Sequence, residues 1–69
     1  MVEVFKTNVQ RKQEAEMLIR KLLGHFPDHK INFDLSDCDK ILRVEGESIH
    51  TKKVIELLCS DNYLCDVLE

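Results

Sequence analysis

The sequence predicts a two-layer α+β sandwich, in which a four-stranded antiparallel sheet carries two helices on one of its faces. Two observations predict it. Four short stretches favour β structure or alternate as β-strands do, and two longer stretches repeat apolar residues at helical spacing. Their order along the chain is βαββαβ. A chain of 69 residues has room for one small core, so we expect a single domain over residues 1–69.

The first strand is predicted in a β-favouring run that contains Val4 and Phe5. Because these two residues point to opposite faces, the sequence leaves open which of them faces the core. The first helix is predicted over about residues 10–23 and is ended by Gly24 and Pro27. Its apolar face consists of residues at helical spacing: Ala15, Leu18, Ile19, Leu22 and Phe26.

A hairpin is predicted in the middle of the chain. Apolar and polar residues alternate over residues 31–35, which is typical of a half-buried strand. Residues 36–39 have the composition of a turn. Leu42 and Val44 then lie on one face of the returning strand, which Gly46 closes.

The second helix and the last strand follow. Ser48 is predicted to cap the helix, because a serine hydroxyl can accept a hydrogen bond from a free amide of the first turn. The buried face of this helix is expected to comprise Thr51, Val54, Ile55 and Leu58. A break at residues 61–62 precedes a short strand over residues 63–68.

Two amphipathic helices need one apolar sheet face, and right-handed crossovers leave the ferredoxin-like topology as the simplest arrangement. This topology brings the loops at residues 8–13, 37–39 and 61–62 to one end of the molecule. The segments at residues 25–29 and 46–50 are then expected to meet at the opposite end.

The overall charge excludes several classes of partner. A net charge of −3 and an isoelectric point near 5.5 argue against binding to nucleic acid or to an anionic membrane.

No apolar run approaches the roughly 18 residues that a transmembrane helix needs. Three cysteines without framework spacing favour a reducing, cytoplasmic setting. We expect a monomer.

Four segments carry a resemblance to a known family. They are FKTNV at 5–9, INFDL at 31–35, KILRVEG at 40–46 and NY at 62–63. Together they resemble the heavy-metal-associated domain family, which is copper-chaperone-like, and the resemblance covers essentially the whole chain. That family carries a Met-x-Cys-x-x-Cys motif between the first strand and the first helix, whose thiolates bind a soft ion such as Cu(I).

An ungapped alignment places Val9 at the methionine of this motif, Arg11 at the first cysteine and Glu14 at the second. The resemblance therefore implies a degenerate member in which soft-metal binding is lost or altered. Arg11 and Glu14 lie three residues apart, so we hypothesise that their side chains pair across one helical turn. Such a pair would brace the loop that a metal braces in relatives.

The resemblance also implies a retained role, since relatives dock against domains of the same fold through this loop. We expect a non-catalytic binding module with a protein-interaction surface at the loop. Its predicted contact residues are Val9, Arg11, Lys12, Glu14 and Cys38.

A second interpretation stays open, which is binding or transport of copper or zinc through non-standard ligands. Cys38 from two chains is one candidate, and His25, His29 and His50 at the opposite end form another. No motif has strong metal-ligand spacing, so no metal ligand or cofactor is assigned.

Catalysis is not expected. No Ser, Cys or Lys nucleophile has an evident neighbouring base, and no pair of carboxylates is placed in a plausible cleft. The protein is therefore predicted not to be an enzyme. Cys59 and Cys65 are expected to fill the core, because free cysteine is among the most buried residue types.

Overall fold

A computed structural model describes residues 1–36 and 38–68, and its sheet is four-stranded and antiparallel throughout. In chain order the elements are β1 (Val2–Thr7), α1 (Lys12–His25), β2 (Lys30–Asp34), β3 (Ile41–Glu45), α2 (Thr51–Ser60) and β4 (Cys65–Val67). The strands lie side by side in the order β2-β3-β1-β4. The α+β class with a four-stranded antiparallel sheet and two helices is therefore confirmed.

The strand register settles which residue of β1 faces the core. Phe5 lies opposite Leu42, and Leu42 lies opposite Phe33 on the far side of β3. Paired residues share a face of the sheet, so these three side chains point the same way. Phe5 is fully buried, whereas Val4 lies on the other face and is partly exposed.

Both helices pack on this same face of the sheet. Their buried side chains form one cluster with the inward residues of the strands. The members are Phe5, Val9, Ala15, Leu18, Leu22, Ile31, Leu42, Val44, Val54, Leu57, Leu58 and Cys65. Burial of apolar surface in this cluster is the main stabilising contribution, at about 25 cal/mol per Å² removed from water.

Helix α1 begins later and ends later than its sequence pattern indicates. Arg11 is extended (φ −104°, ψ 141°) and precedes the first helical residue. Gly24 is accommodated inside the helix, and the final bond runs from the Phe26 N–H to the Leu22 carbonyl at 2.8 Å. Pro27 sets the end, because the residue before a proline is disfavoured in helical conformation.

Three further expectations at the second half of the chain are wrong. Ser48 does not cap α2, since His50 precedes its first residue and no side chain there caps the helix. Cys59 is exposed and does not fill the core. The last strand covers only Cys65–Val67, because Asn62 adopts a left-handed φ of 69° and turns the chain into β4 late.

Candidate functional site

Three loops meet at one end of the sheet, which we call the loop end. It comprises residues 8–11, 35–40 and 61–64, of which Asp37 lies outside the described residues. The Thr7 N–H donates to the Asp39 carbonyl at 3.1 Å, and the Leu64 N–H donates to Asn8 Oδ1 at 2.9 Å. These bonds confirm the predicted grouping of the three loops.

Thr7 fastens the first loop to the β2–β3 hairpin. Its hydroxyl donates to the Lys40 carbonyl at 2.6 Å and accepts from the Val9 N–H at 3.2 Å. Thr7 is only 6% exposed, so both bonds form largely away from water. Lys40 adopts a left-handed φ of 48°, which is unusual for a side-chain-bearing residue. The Thr7 hydroxyl helps to hold this strained position.

Val9 supports the loop from beneath. Its side chain is fully buried in the core cluster. The prediction that Val9 contacts a partner is therefore wrong, because a buried side chain presents no surface. Sequence analysis could place Val9 only in a loop, whereas its burial depends on how that loop folds over the sheet.

Glu14 uses its carboxylate inside the molecule. Oε1 accepts from the backbone N–H of Arg11 at 3.2 Å, and Oε2 accepts from the Tyr63 hydroxyl at 2.7 Å. The hypothesised Arg11–Glu14 side-chain ion pair does not form within 4.0 Å in the described part of the chain. Glu14 instead holds the start of α1 and ties it to the α2–β4 loop.

These bonds perturb both titrating groups. The hydrogen bond from Tyr63 is the main cause that lowers the pKa of Glu14 below its ordinary value of 4.5. Desolvation opposes it, and the Arg11 N–H and guanidinium add smaller effects that lower the pKa further. The hydrogen bond to Glu14 raises the pKa of Tyr63 above its ordinary value of 10.0. The contact therefore favours an ionised carboxylate facing a protonated phenol.

Exposed side chains at the loop end and at the adjoining start of α1 include two cations, an apolar residue, a thiol and the acidic Asp61. Arg11 and Lys12 are both exposed at the start of α1, where the helix dipole is also positive. Leu64 is 67% exposed on the neighbouring loop. Cys38 is an exposed free thiol in the hairpin turn. Sequence reasoning missed Leu64, although its alternation with the buried Cys65 indicated an outward position.

Lys21 braces the two helices close to this end, and sequence reasoning missed it as well. Its Nζ donates to the Leu57 carbonyl at 3.2 Å, to Ser60 Oγ at 3.0 Å and to Asp61 Oδ2 at 3.0 Å. The ammonium group thus sits at the C-terminus of α2, where a cation interacts favourably with the helix dipole. No local pattern reveals a partner on another helix.

The cysteines do not converge on a common site. Cys38 and Cys59 are exposed, whereas Cys65 is 4% exposed and belongs to the core, as predicted. Burial raises the pKa of Cys65 to about 12, with smaller contributions from Cys59 and Asp66, so its thiol stays protonated. Among the described residues, no group of three or more His, Cys, Asp and Glu side chains is arranged to hold a metal ion.

The opposite end is built from rings, and we call it the histidine end (residues 25–29 and 46–50). Phe26 lies at its centre, with ring centroids 6.3 Å from His25, 5.2 Å from His29 and 6.2 Å from His50. His29 Nε2 donates to the Ser48 carbonyl at 2.8 Å, while Nδ1 is buried without a partner. The predicted meeting of these two segments is confirmed, and the histidines surround a phenylalanine ring.

No family model matches the sequence, and neither a curated protein nor a solved structure matches it. The resemblance to heavy-metal-associated domains therefore rests on the sequence segments quoted above. Within the described residues, neither helix is long and apolar enough to cross a bilayer.

Proposed function

We propose that this protein is a non-catalytic binding module related to heavy-metal-associated domains, with a ferredoxin-like arrangement of its elements. It docks another protein domain through the loop end and no longer uses this end to hold a soft metal ion. The strand order β2-β3-β1-β4, with both helices on one face, supports the ferredoxin-like assignment. The free cysteines support a reducing, cytoplasmic setting.

One observation carries the proposal. Glu14 aligns with the second thiolate ligand of the family motif. Its carboxylate accepts hydrogen bonds from the Arg11 N–H and the Tyr63 hydroxyl. The residue aligned with the first, Arg11, is an exposed cation. A cation repels a metal ion, and internal hydrogen bonds already do the bracing that metal would do. These hydrogen bonds join the described segments of the loop end through the protein's own groups.

We expect the partner to present an acidic surface with an apolar centre, complementary to the loop end. Arg11 and Lys12 offer positive charge, while the nearby Lys6 is 3.9 Å from Asp39 and so is partly neutralised. Leu64, whose N–H bonds Asn8, offers an exposed apolar contact at the same end. Interfaces combine an apolar anchor with a charged rim in this way, and Arg is enriched in them. Cys38 lies at the edge of the same end.

A photo-crosslinking residue placed at Lys12 tests the proposal, with the same residue at Lys53 on α2 as the matched control. The expected result is a crosslinked protein that is captured from Lys12 alone. Purified partner should then shift the amide resonances of the loop end and leave those of the histidine end in place.

Charge reversal sharpens this test. Arg11→Glu with Lys12→Glu should weaken binding of that partner by at least about tenfold, since like charges across an interface cost several kcal/mol. Lys52→Glu with Lys53→Glu changes the net charge equally and should leave binding unchanged. Equal loss in both pairs, or resonance shifts confined to another face, overturns the proposal.

The exposed Cys38 thiol favours one alternative, which is cuprous binding through a pair of chains. Anaerobic Cu(I) titration against a competing chelator separates the two functions. Weak uptake without fixed stoichiometry agrees with the docking module. Tight, stoichiometric uptake that Cys38→Ser abolishes would establish the alternative, because a soft ion needs sulfur ligands.

A further inference from the structure

Strand β2 presents an unpaired edge to solvent, because it lies at one end of the order β2-β3-β1-β4. Met1 and Gly46 exchange two backbone hydrogen bonds, at 2.8 Å and 3.0 Å. In an antiparallel pair, every second residue of a strand directs its N–H and C=O to the same neighbouring strand. Val44 and Leu42, two and four residues before Gly46, therefore direct these groups towards β1 as Gly46 does. The residues between them, such as Arg43, direct their N–H and C=O groups to β2 on the other side.

The same alternation fixes the groups that β2 leaves free. Arg43 pairs with Asn32, so Asn32 directs its N–H and C=O into the sheet. Ile31 and Phe33 therefore direct theirs outward, to the open edge. An edge of this kind is a template for another strand.

The sequence of β2 is complementary to itself when it is read in the opposite direction. Around Asn32, an antiparallel copy places Lys30 opposite Asp34 of the other chain, and Asp34 opposite its Lys30. The Asp34 carboxylate also accepts hydrogen bonds from the backbone N–H and the hydroxyl of Ser36. This register brings together the outward backbone groups of Ile31 and Phe33 from the two chains. A parallel copy in register would align like charges, which is unfavourable.

We propose that a second copy of this chain pairs antiparallel with β2, with the two-fold axis at Asn32, and joins the two four-stranded sheets into one. This pairing replaces the monomer expected from the sequence. The proposal does not rest on the docking function, although Lys12 lines the groove beside β2 as well as the docking surface.

Apolar surface beside the edge supports this occupant. A groove of about 370 Å³ separates α1 from β2, and its walls include Ile19, Phe33 and Leu35, all partly exposed. In the proposed register Ile31 of one chain lies beside Phe33 of the other, on the helix-covered face. Pairing therefore covers the exposed part of Phe33 and removes apolar surface from water.

The other edge of the sheet is protected against the same event. Strand β4 has only three residues, and Asp66 is its centre. A symmetric antiparallel copy would place Asp66 directly opposite the Asp66 of the other chain, where like charges are destabilising. Self-association is thus directed to β2.

Sedimentation velocity over rising concentration, up to about 1 mM because small interfaces bind weakly, tests the proposal. The wild-type mass should rise from the 8.1 kDa of the monomer towards the dimer. Lys30→Glu should weaken the dimer by about tenfold, since it reverses one charge pair at each end of the symmetric seam. Lys52→Glu on α2 is the matched control and should have no effect.

A mixing experiment makes the register itself testable. Asp34→Lys alone should weaken the dimer by about as much as Lys30→Glu does, and circular dichroism is used to check that this variant folds. Mixed with Lys30→Glu, it should form a heterodimer, because each seam end then carries opposite charges again. A mixture that stays monomeric while the wild type dimerises overturns the register.

Amide hydrogen exchange supplies a second, independent measurement. The amides of Ile31 and Phe33 should slow as wild-type concentration rises, while those of Cys65 and Val67 at the other edge stay unchanged. A monomer at every concentration, or a dimer that protects the β4 amides instead, overturns the proposal.

Discussion

The two ends of this molecule are held together by different physical means. At the loop end, side-chain oxygens bond groups on other segments: Thr7 to Lys40, Asn8 to Leu64 and Glu14 to Tyr63. At the histidine end, the Phe26 ring is surrounded by imidazoles, and Gly46 leaves space for one of them.

The two ends are therefore sensitive to different substitutions. Hydrogen bonds stabilise modestly when formed, but a buried group that loses its partner costs about 1–3 kcal/mol. Packed rings are sensitive to added volume, since overpacking costs about 1–3 kcal/mol. A small protein with a free energy of unfolding of about 5 kcal/mol is sensitive to either loss. The loop end should thus respond to deleted hydroxyls, and the histidine end to added atoms.

The largest effect is expected from Thr7→Val, which keeps the volume and removes the hydroxyl. Both the Val9 N–H and the Lys40 carbonyl then lose a partner in a buried place, at a cost of about 2 kcal/mol. Urea denaturation measures it. Thr7→Ser is the control, because it keeps the hydroxyl and loses only a methyl group. A valine variant as stable as the serine variant would refute the role of the hydroxyl.

Gly46→Ala tests the histidine end. A Cβ there would lie 2.9 Å from His29 Cδ2, and the ring is held by its bond to Ser48. We expect a loss of about 1.5 kcal/mol, because overpacking outweighs the entropy gained by replacing glycine.

The double variant with His29→Ala supplies the control for that prediction. With the ring removed, alanine at position 46 should be neutral or slightly stabilising, because no described glycine has a positive φ. Thermal and urea denaturation of the four proteins give the coupling between Gly46 and His29. Additive losses would show that the ring does not restrict this position.

Lys21→Met should cost about 1 kcal/mol, since it removes the cation that joins α1 to the end of α2 while keeping the aliphatic stem. Arg20→Met is the matched control, because Arg20 is exposed on the same helix. Equal effects of the two substitutions on the urea midpoint would contradict a specific brace.

The smallest loss of stability is expected from Tyr63→Phe. The pH dependence of this loss distinguishes the Glu14–Tyr63 hydrogen bond from packing of the ring. Glu14 has a lowered pKa, so its contribution is present above the ordinary value of 4.5 and is lost as pH falls through the lowered value. Tyr63 has a raised pKa, so its contribution is present below 10.0 and is lost as pH rises through the raised value. The wild type should exceed the variant in stability at neutral pH, and the gap should close at both extremes.

Glu14→Gln serves as the control for this pH profile. It removes the ionisable partner, so Tyr63→Phe in that background should show no change of the gap at low pH. Stability measured by urea denaturation across the pH range decides the matter. A gap that persists unchanged into acid would assign it to the packing of the ring.

Much of the fold was predictable because the signals are local. The spacing of Ala15, Leu18 and Leu22 predicts the buried face of α1, and all three are buried. The alternation around Ile31 predicts β2. The grouping of loops into two ends follows from element order, since a connection must begin where its strand ends.

The candidate site was less predictable, because its contacts join residues far apart in sequence. Sequence position indicated Glu14 as a residue of the candidate site, but its hydroxyl partner Tyr63 is 49 residues away. The burial of Val9 and the exposure of Cys59 likewise depend on how a loop or helix end meets its neighbours. No window of the sequence contains that information.

The order of strands and helices and the buried face of α1 could be predicted from the sequence, because periodicity is a property of one segment. Three features required the tertiary structure: Phe5 faces the core, the Glu14 carboxylate accepts a hydrogen bond from Tyr63, and β2 lies at an edge of the sheet. Each of these depends on pairing between distant segments, which is fixed when the whole core closes.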